Sequence, residues 1–153
     1  MLPSNINLSG KPFTMDINLK RTDYSDQDFQ NLVVELDKEL WERYQEKEAE
    51  YEKFNKTVGI NNVIVLFVDD LPAGCGCFKQ YDTETVELKR MFVADAYRNK
   101  GLGGMIVHEL ESWALSLGYR WTVLETAIRQ PEAIHLYKKL GYVEIEKYGP
   151  YIE

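Results

Sequence analysis

The stretch RNKGLGG, residues 98–104, stands between two segments of different period. Ahead of it, TVELKRMFV is β-branched and alternating, as a strand is. Behind it, LGGMIVHELESWALSLG carries apolar residues at helical spacing. Three glycines and two cations, Arg98 and Lys100, therefore occupy a strand-to-helix turn. Such a turn implies backbone that comes close to something negatively charged.

The other segments fit a mixed α/β chain around this turn. MDINLKR reads as a short strand. SDQD opens a helix, with Ser25 as its cap and Asp28 at the third helical position. Phe29, Leu32, Val33, Leu36 and Leu40 share one face of it, and a break is expected near Gln45. VIVLFVDD and AGCGCFKQY are strands joined at DDLP as a hairpin. The helix after the glycines should bury Leu102, Ile106, Leu110, Trp113 and Leu117 and end at Gly118. WTVLET is a strand, and PEAIHLYKKLG is a helix with Pro131 at its start and Gly141 past its end. YVEIEKY reads as a final strand. Residues 1–14 read as a loose leader and residues 15–153 as one domain, with no repeats and no linker to a second domain.

Composition narrows the partners. The net charge of -7 argues against nucleic acid, whose binders display basic faces. In an acidic chain, the window holding Lys89, Arg90, Arg98 and Lys100 against Asp95 alone is a local exception. No apolar run approaches the ~20 residues that span a bilayer, and no secretion signal is visible, so cytoplasmic residence is the expectation. Cys75 and Cys77, one residue apart, are poorly placed for a disulfide and lack ligands for zinc; they read as small buried strand residues.

Three readings of the glycine turn compete. A plain turn needs one glycine for positive φ, and this one has three. A dinucleotide-binding turn would need a third glycine where Ile106 stands. A pyrophosphate cradle, made of amides at a helix N-terminus with Arg98 and Lys100 at the rim, fits best.

FVADAYRNKGLGGMIVHELESWA resembles the acetyl-CoA-binding segment of the GNAT-type N-acetyltransferases, with Arg98, Gly101 and Gly103 at the fixed positions of [R/Q]-x-x-G-x-[G/A]. RQPEAIHLYKKLGY is similar to the family's later helix and turn, and VELKRMFV to its central strand. Gln130 stands where many members carry Asn. The resemblance implies a single-domain GNAT fold of class α/β (α+β), a mixed, mostly antiparallel central sheet flanked by helices. It implies acetyl-CoA as co-substrate, held by Met91, Phe92 and Val93 of the central strand and by Arg98, Asn99, Lys100, Gly101, Leu102, Gly103 and Gly104. It also implies transfer of the acetyl group to a primary amine by direct attack.

That chemistry needs a base to take the ammonium proton and an acid to protonate the departing thiolate. Glu87 is the candidate base, through a water, with an ion pair to Lys89 as the competing role. Tyr137 is the candidate acid, with core packing as the competing role. His108 and His135 have no triad partners and read as surface residues. The first helices of the family usually build the acceptor pocket, so Trp41 and Tyr44, with Tyr51 and Phe54, are candidate walls, two of the four being expected in the core. The expected partner is a small-molecule amine, such as an amino acid or polyamine, with neither nucleic acid nor membrane; a homodimer stays open. The rival is a module that binds acyl-CoA without turnover.

Overall fold

A computed structural model describes residues 14–44, 57–126 and 131–152. Five strands form one sheet in the order β1-β2-β3-β4-β5: β1 Ile17–Thr22, β2 Asn62–Val68, β3 Leu71–Gln80, β4 Thr85–Val93 and β5 Trp121–Val123. The first three pairings are antiparallel and β4–β5 is parallel. The helices are α1 Gln27–Tyr44, α2 Leu102–Ser116 and α3 Pro131–Lys139. This is the mixed, mostly antiparallel sheet with flanking helices that the sequence pointed to. The leader falls almost wholly on residues outside those described, as does the expected break near Gln45.

Strand alternation divides the core into two layers. Ile64, Leu66, Phe78, Val86 and Leu88 pack under α2 through Leu102, Ile106, Val107, Leu110 and Ala114. Val63, Val65, Cys75, Cys77 and Phe92 pack under α1 through Phe29, Leu32 and Leu36. Both thiols are free and buried, and burial pushes Cys77 up to about 12, so each is an inert packing group. The β2–β3 hairpin turns on Asp69 and Asp70, both at positive φ (49° and 66°), the geometry that matches the twist of two antiparallel strands.

The two glycines of AGCGC face α2. A Cβ on Gly74 would lie 2.8 Å from the Phe92 carbonyl oxygen, and one on Gly76 would lie 2.9 Å from Ile106 Cγ2. Their absence of side chain lets α2 lie close on β3. The alternation of Gly and Cys on one strand, which carries that signal, was read above only for its cysteines.

Three expectations change. Asp26, not Ser25, caps α1: its Oδ1 accepts the Phe29 N–H at 3.0 Å. Ser25 is engaged with Asp23, to whose Oδ1 its N–H and hydroxyl both donate. Leu117 is exposed because it is the C-cap of α2, where the chain turns away; Val107 and Ala114 fill the face instead. YVEIEKY is not a strand: residues 142–148 pair with nothing in the sheet, and Val143 is 80% exposed. Alternation alone does not make a strand where no ladder partner is within reach.

Candidate active site

The site begins where β4 and β5 part. Their ladder joins Thr85 to Trp121, Val86 to Thr122 and Glu87 to Val123, and stops there. On its other edge β4 carries an irregularity, since Cys77 pairs with Lys89 and Cys75 with Phe92, so Arg90 and Met91 oppose Gly76 alone. Arg90 takes φ +55°, costly for a non-glycine residue, and its guanidinium pairs with Asp37 of α1. The bulge bends β4 away just past the last β5 rung. Among the described residues β4 is thus unpaired on its β5 side at Met91–Val93, and this parting of the strands is the slot they border.

From Val93 the chain makes a 3-10 turn, Asp95–Tyr97, and enters α2 through Asn99 (φ +63°) and Gly101 (φ +76°). Gly101 is the N-cap, and a Cβ built on it would meet nothing within 4 Å among the described residues. The first α2 amides have no intrahelical acceptors. Gly103 and Gly104 have another duty: Cβ atoms there would lie 3.1 Å from Leu136 and 3.6 Å from Leu140. Helix α3 packs against the glycines, so the surplus glycines serve helix packing as well as any ligand.

Arg98 is engaged within the protein. Its Nε donates to the Val93 carbonyl at 2.8 Å, and its two Nη atoms meet both Glu39 carboxylate oxygens at 2.8 and 2.6 Å. This planar fork closes the loop on itself and ties it to α1. Arg43 extends the network, lying 3.4 Å from Glu39 and 3.2 Å from Glu132 in the first turn of α3. Neither Glu39 nor Glu132 was singled out from the sequence; Arg98 and Glu39 lie 59 residues apart, and no periodicity links them. Asn99 and Lys100 are exposed at the rim.

The two proposed proton carriers lie on opposite faces of the sheet. Val86 and Leu88 belong to the layer under α2, so Glu87 and Lys89 point to the α1 side. Glu87 is only 3% exposed, with Oε1 3.2 Å from Lys89 Nζ and 3.8 Å from Lys79 Nζ, and Oε2 accepting from the Tyr148 hydroxyl at 2.8 Å. Burial lowers Lys89 from its ordinary value, and burial raises the nearby Glu125 carboxyl. The Lys89 pair weighed as the competing role is therefore present.

Tyr137 lies in the layer under α2, edge-on to Tyr142 with ring centroids 5.6 Å apart. Burial holds its phenol far above the ordinary value, so it keeps its proton throughout the physiological range. Its hydroxyl has no hydrogen-bond partner among the described residues, whereas that of Tyr142 shares a bond with Thr122 Oγ1 at 2.8 Å. A buried phenol without a partner is costly in a merely structural role.

Among the acceptor-wall candidates, Trp41 is 46% exposed on α1, and the Tyr44, Tyr51 and Phe54 side chains lie outside the description. His108 and His135 are exposed. Gln130 is outside the described residues.

The acetyltransferase (GNAT) family profile matches residues 24–142, and the chain belongs to that family. It is 40% identical over 83 residues to the Xenopus tropicalis protein called Probable N-acetyltransferase 14, covering 52% of this chain and 39% of that one. It is 36% identical over 80 residues to the IAA acetyltransferase of Azospirillum brasilense, covering 51% and 52%. The chain thus spans about half or less of these relatives' length. An aminoglycoside N-acetyltransferase solved with CoA has the same fold, with a TM-score of 0.66 at 15% identity, over 92% of this chain and 97% of that one. Among the described residues no helix is long and apolar enough to cross a membrane.

Proposed function

We propose that the protein is an N-acetyltransferase that moves the acetyl group of acetyl-CoA to a primary amine on a small molecule, such as an amino acid or a polyamine. The observation that carries this is the Tyr137 phenol, buried in one layer with Leu102 of the family's cofactor segment and without a hydrogen-bond partner among the described residues. A pure binding module needs the glycine turn but gains nothing from a proton donor left unsatisfied.

The cofactor's pyrophosphate would lie on the amides of Leu102, Gly103 and Gly104, where the α2 dipole favours an anion by about 0.3–2 kcal/mol per charge. The exposed Lys100 adds a cation. The pantetheine arm would follow Met91–Val93 along the slot, placing the thioester between the two faces.

An alkylammonium has a pKa of ~10 and must lose a proton before it attacks. Glu87, on the α1 face, accepts that proton through a water. The neutral amine attacks the thioester carbonyl, and amides bordering the slot steady the oxyanion. As the C–S bond breaks, Tyr137 gives its proton to the sulfur from the α2 face. The nitrogen sheds its second proton to water and Glu87 returns the first to solvent, from which the phenolate is reprotonated, so one proton is released per turnover.

A thiol-release assay with acetyl-CoA and a panel of primary amines tests the reading. Tyr137→Phe should lower kcat by about 10²–10⁴-fold, the worth of a positioned acid, with coenzyme A affinity nearly unchanged. Wild-type turnover in that variant would make Tyr137 a packing residue. No turnover by the parent with any amine would favour the binding module.

A further inference from the structure

The C-terminal segment 142–152 lies outside the sheet, yet it reaches the most buried charge pair among the described residues. Tyr148 donates to Glu87 Oε2 at 2.8 Å across 61 residues of sequence. Its ring stands edge-on to Tyr81, centroids 5.3 Å apart, and a Cβ on the next residue, Gly149 (φ +52°), would lie 3.3 Å from Tyr81 Cε2. Tyr81 follows directly on β3, whose Lys79 is the register partner of Glu87. The segment is thus docked by an aromatic contact that brings one hydroxyl to one carboxylate oxygen.

The other oxygen is held as firmly. Lys89 Nζ lies 3.2 Å from Glu87 Oε1, and both side chains are almost fully buried (2% and 3% exposed). Donors on both oxygens fix the plane of the carboxylate, and a buried carboxylate held from two sides has little freedom to rotate. A pair needed only to neutralise charge could be replaced by apolar residues at no loss of stability. Here a third element, far away in sequence, is brought in to complete it.

We infer that Tyr148 is a positioning residue: it orients the Glu87 carboxylate toward the slot, so the C-terminal segment completes the amine side of the site. The inference rests on Glu87 as the proton acceptor of the proposed reaction. Among the described residues, the charged and titratable groups facing Glu87 are Lys79 and the buried Cys77 of β3, Lys89 of β4, Glu125 past β5 and Tyr148 of the C-terminal segment.

Tyr148→Phe, Tyr81→Leu and Glu87→Gln separate the two claims. In Tyr148→Phe, kcat with the best amine of the panel should fall about 10–100-fold, the worth of one hydrogen bond to a charged group. Coenzyme A affinity by calorimetry and the melting temperature should change little. The loss should fall on kcat and leave the KM of the amine nearly unchanged, because a misaimed carboxylate still lets the amine bind. Tyr81→Leu, which loosens the segment without removing the hydroxyl, should move the same quantities less. Carbon-13 labelling of glutamate provides a readout without turnover: the carboxyl signal lost in Glu87→Gln should change position in Tyr148→Phe, as the loss of a donor to one oxygen requires. An inactive Glu87→Gln beside a Tyr148→Phe with parental kcat and carboxyl signal would overturn the positioning role alone. A fully active Glu87→Gln would overturn both it and the base.

Discussion

In the proposed reaction the turn that enters α2 and the charge cluster around Glu87 both take part, yet they are built in opposite ways. The turn uses consecutive residues and mostly backbone: Asn99 and Gly101 set its path by positive φ, and the α2 amides supply donors that every helix has. The cluster uses side chains from β3, β4 and the C-terminal segment, brought together only by the fold. In the proposed reaction, backbone recognition would serve the co-substrate, and assembled side chains the acceptor.

The largest effect should come from breaking the backbone half. Gly101→Val places a β-branched residue at φ +76°, which such residues resist, and directs its side chain into the open space. Coenzyme A binding should fall at least 100-fold by calorimetry while circular dichroism still reports a folded domain. Unchanged affinity in a folded variant would remove the turn from the cofactor site.

A middle-sized effect should come from the link between the halves. Arg98 was expected to meet phosphate as a rim charge, with more weight at low salt. Its bonds to Val93 and Glu39 indicate a brace instead, so Glu39→Gln and Arg98→Ala should each weaken coenzyme A binding about 3–10-fold, and equally at low and high salt. A loss in Arg98→Ala that shrinks as salt rises would restore the direct phosphate contact.

The smallest effect should be at the outer edge of the acceptor side. Trp41 is half exposed, so Trp41→Ala should leave stability and coenzyme A affinity nearly unchanged while raising the KM of the acceptor a few-fold. Equal losses for both substrates would mean that Trp41 supports the fold.

This contrast also sets what the sequence could disclose. The strands, the three helices and the glycine turn were legible because each is a local pattern of period, cap or breaker. The expected final strand failed because pairing is decided by neighbours: Val143 and Ile145 alternate correctly and remain exposed. Ser25 was a sound local choice displaced by Asp26 one residue on. Tyr148, Glu39 and Glu132 were missed altogether, because their partners lie 61, 59 and 89 residues away and no local pattern marks such distances.

The slot beside Met91–Val93 has one more consequence, in the order of events. With Glu87 on one face of the sheet and Tyr137 on the other, each substrate of the proposed reaction has its own entrance. Neither has to leave before the other arrives, and the acyl group never needs to be parked on the protein; the two thiols are sealed in the core. Initial rates measured over both concentrations should give intersecting, not parallel, reciprocal lines. A dead-end coenzyme A analogue should compete with acetyl-CoA and leave the apparent affinity for the amine untouched.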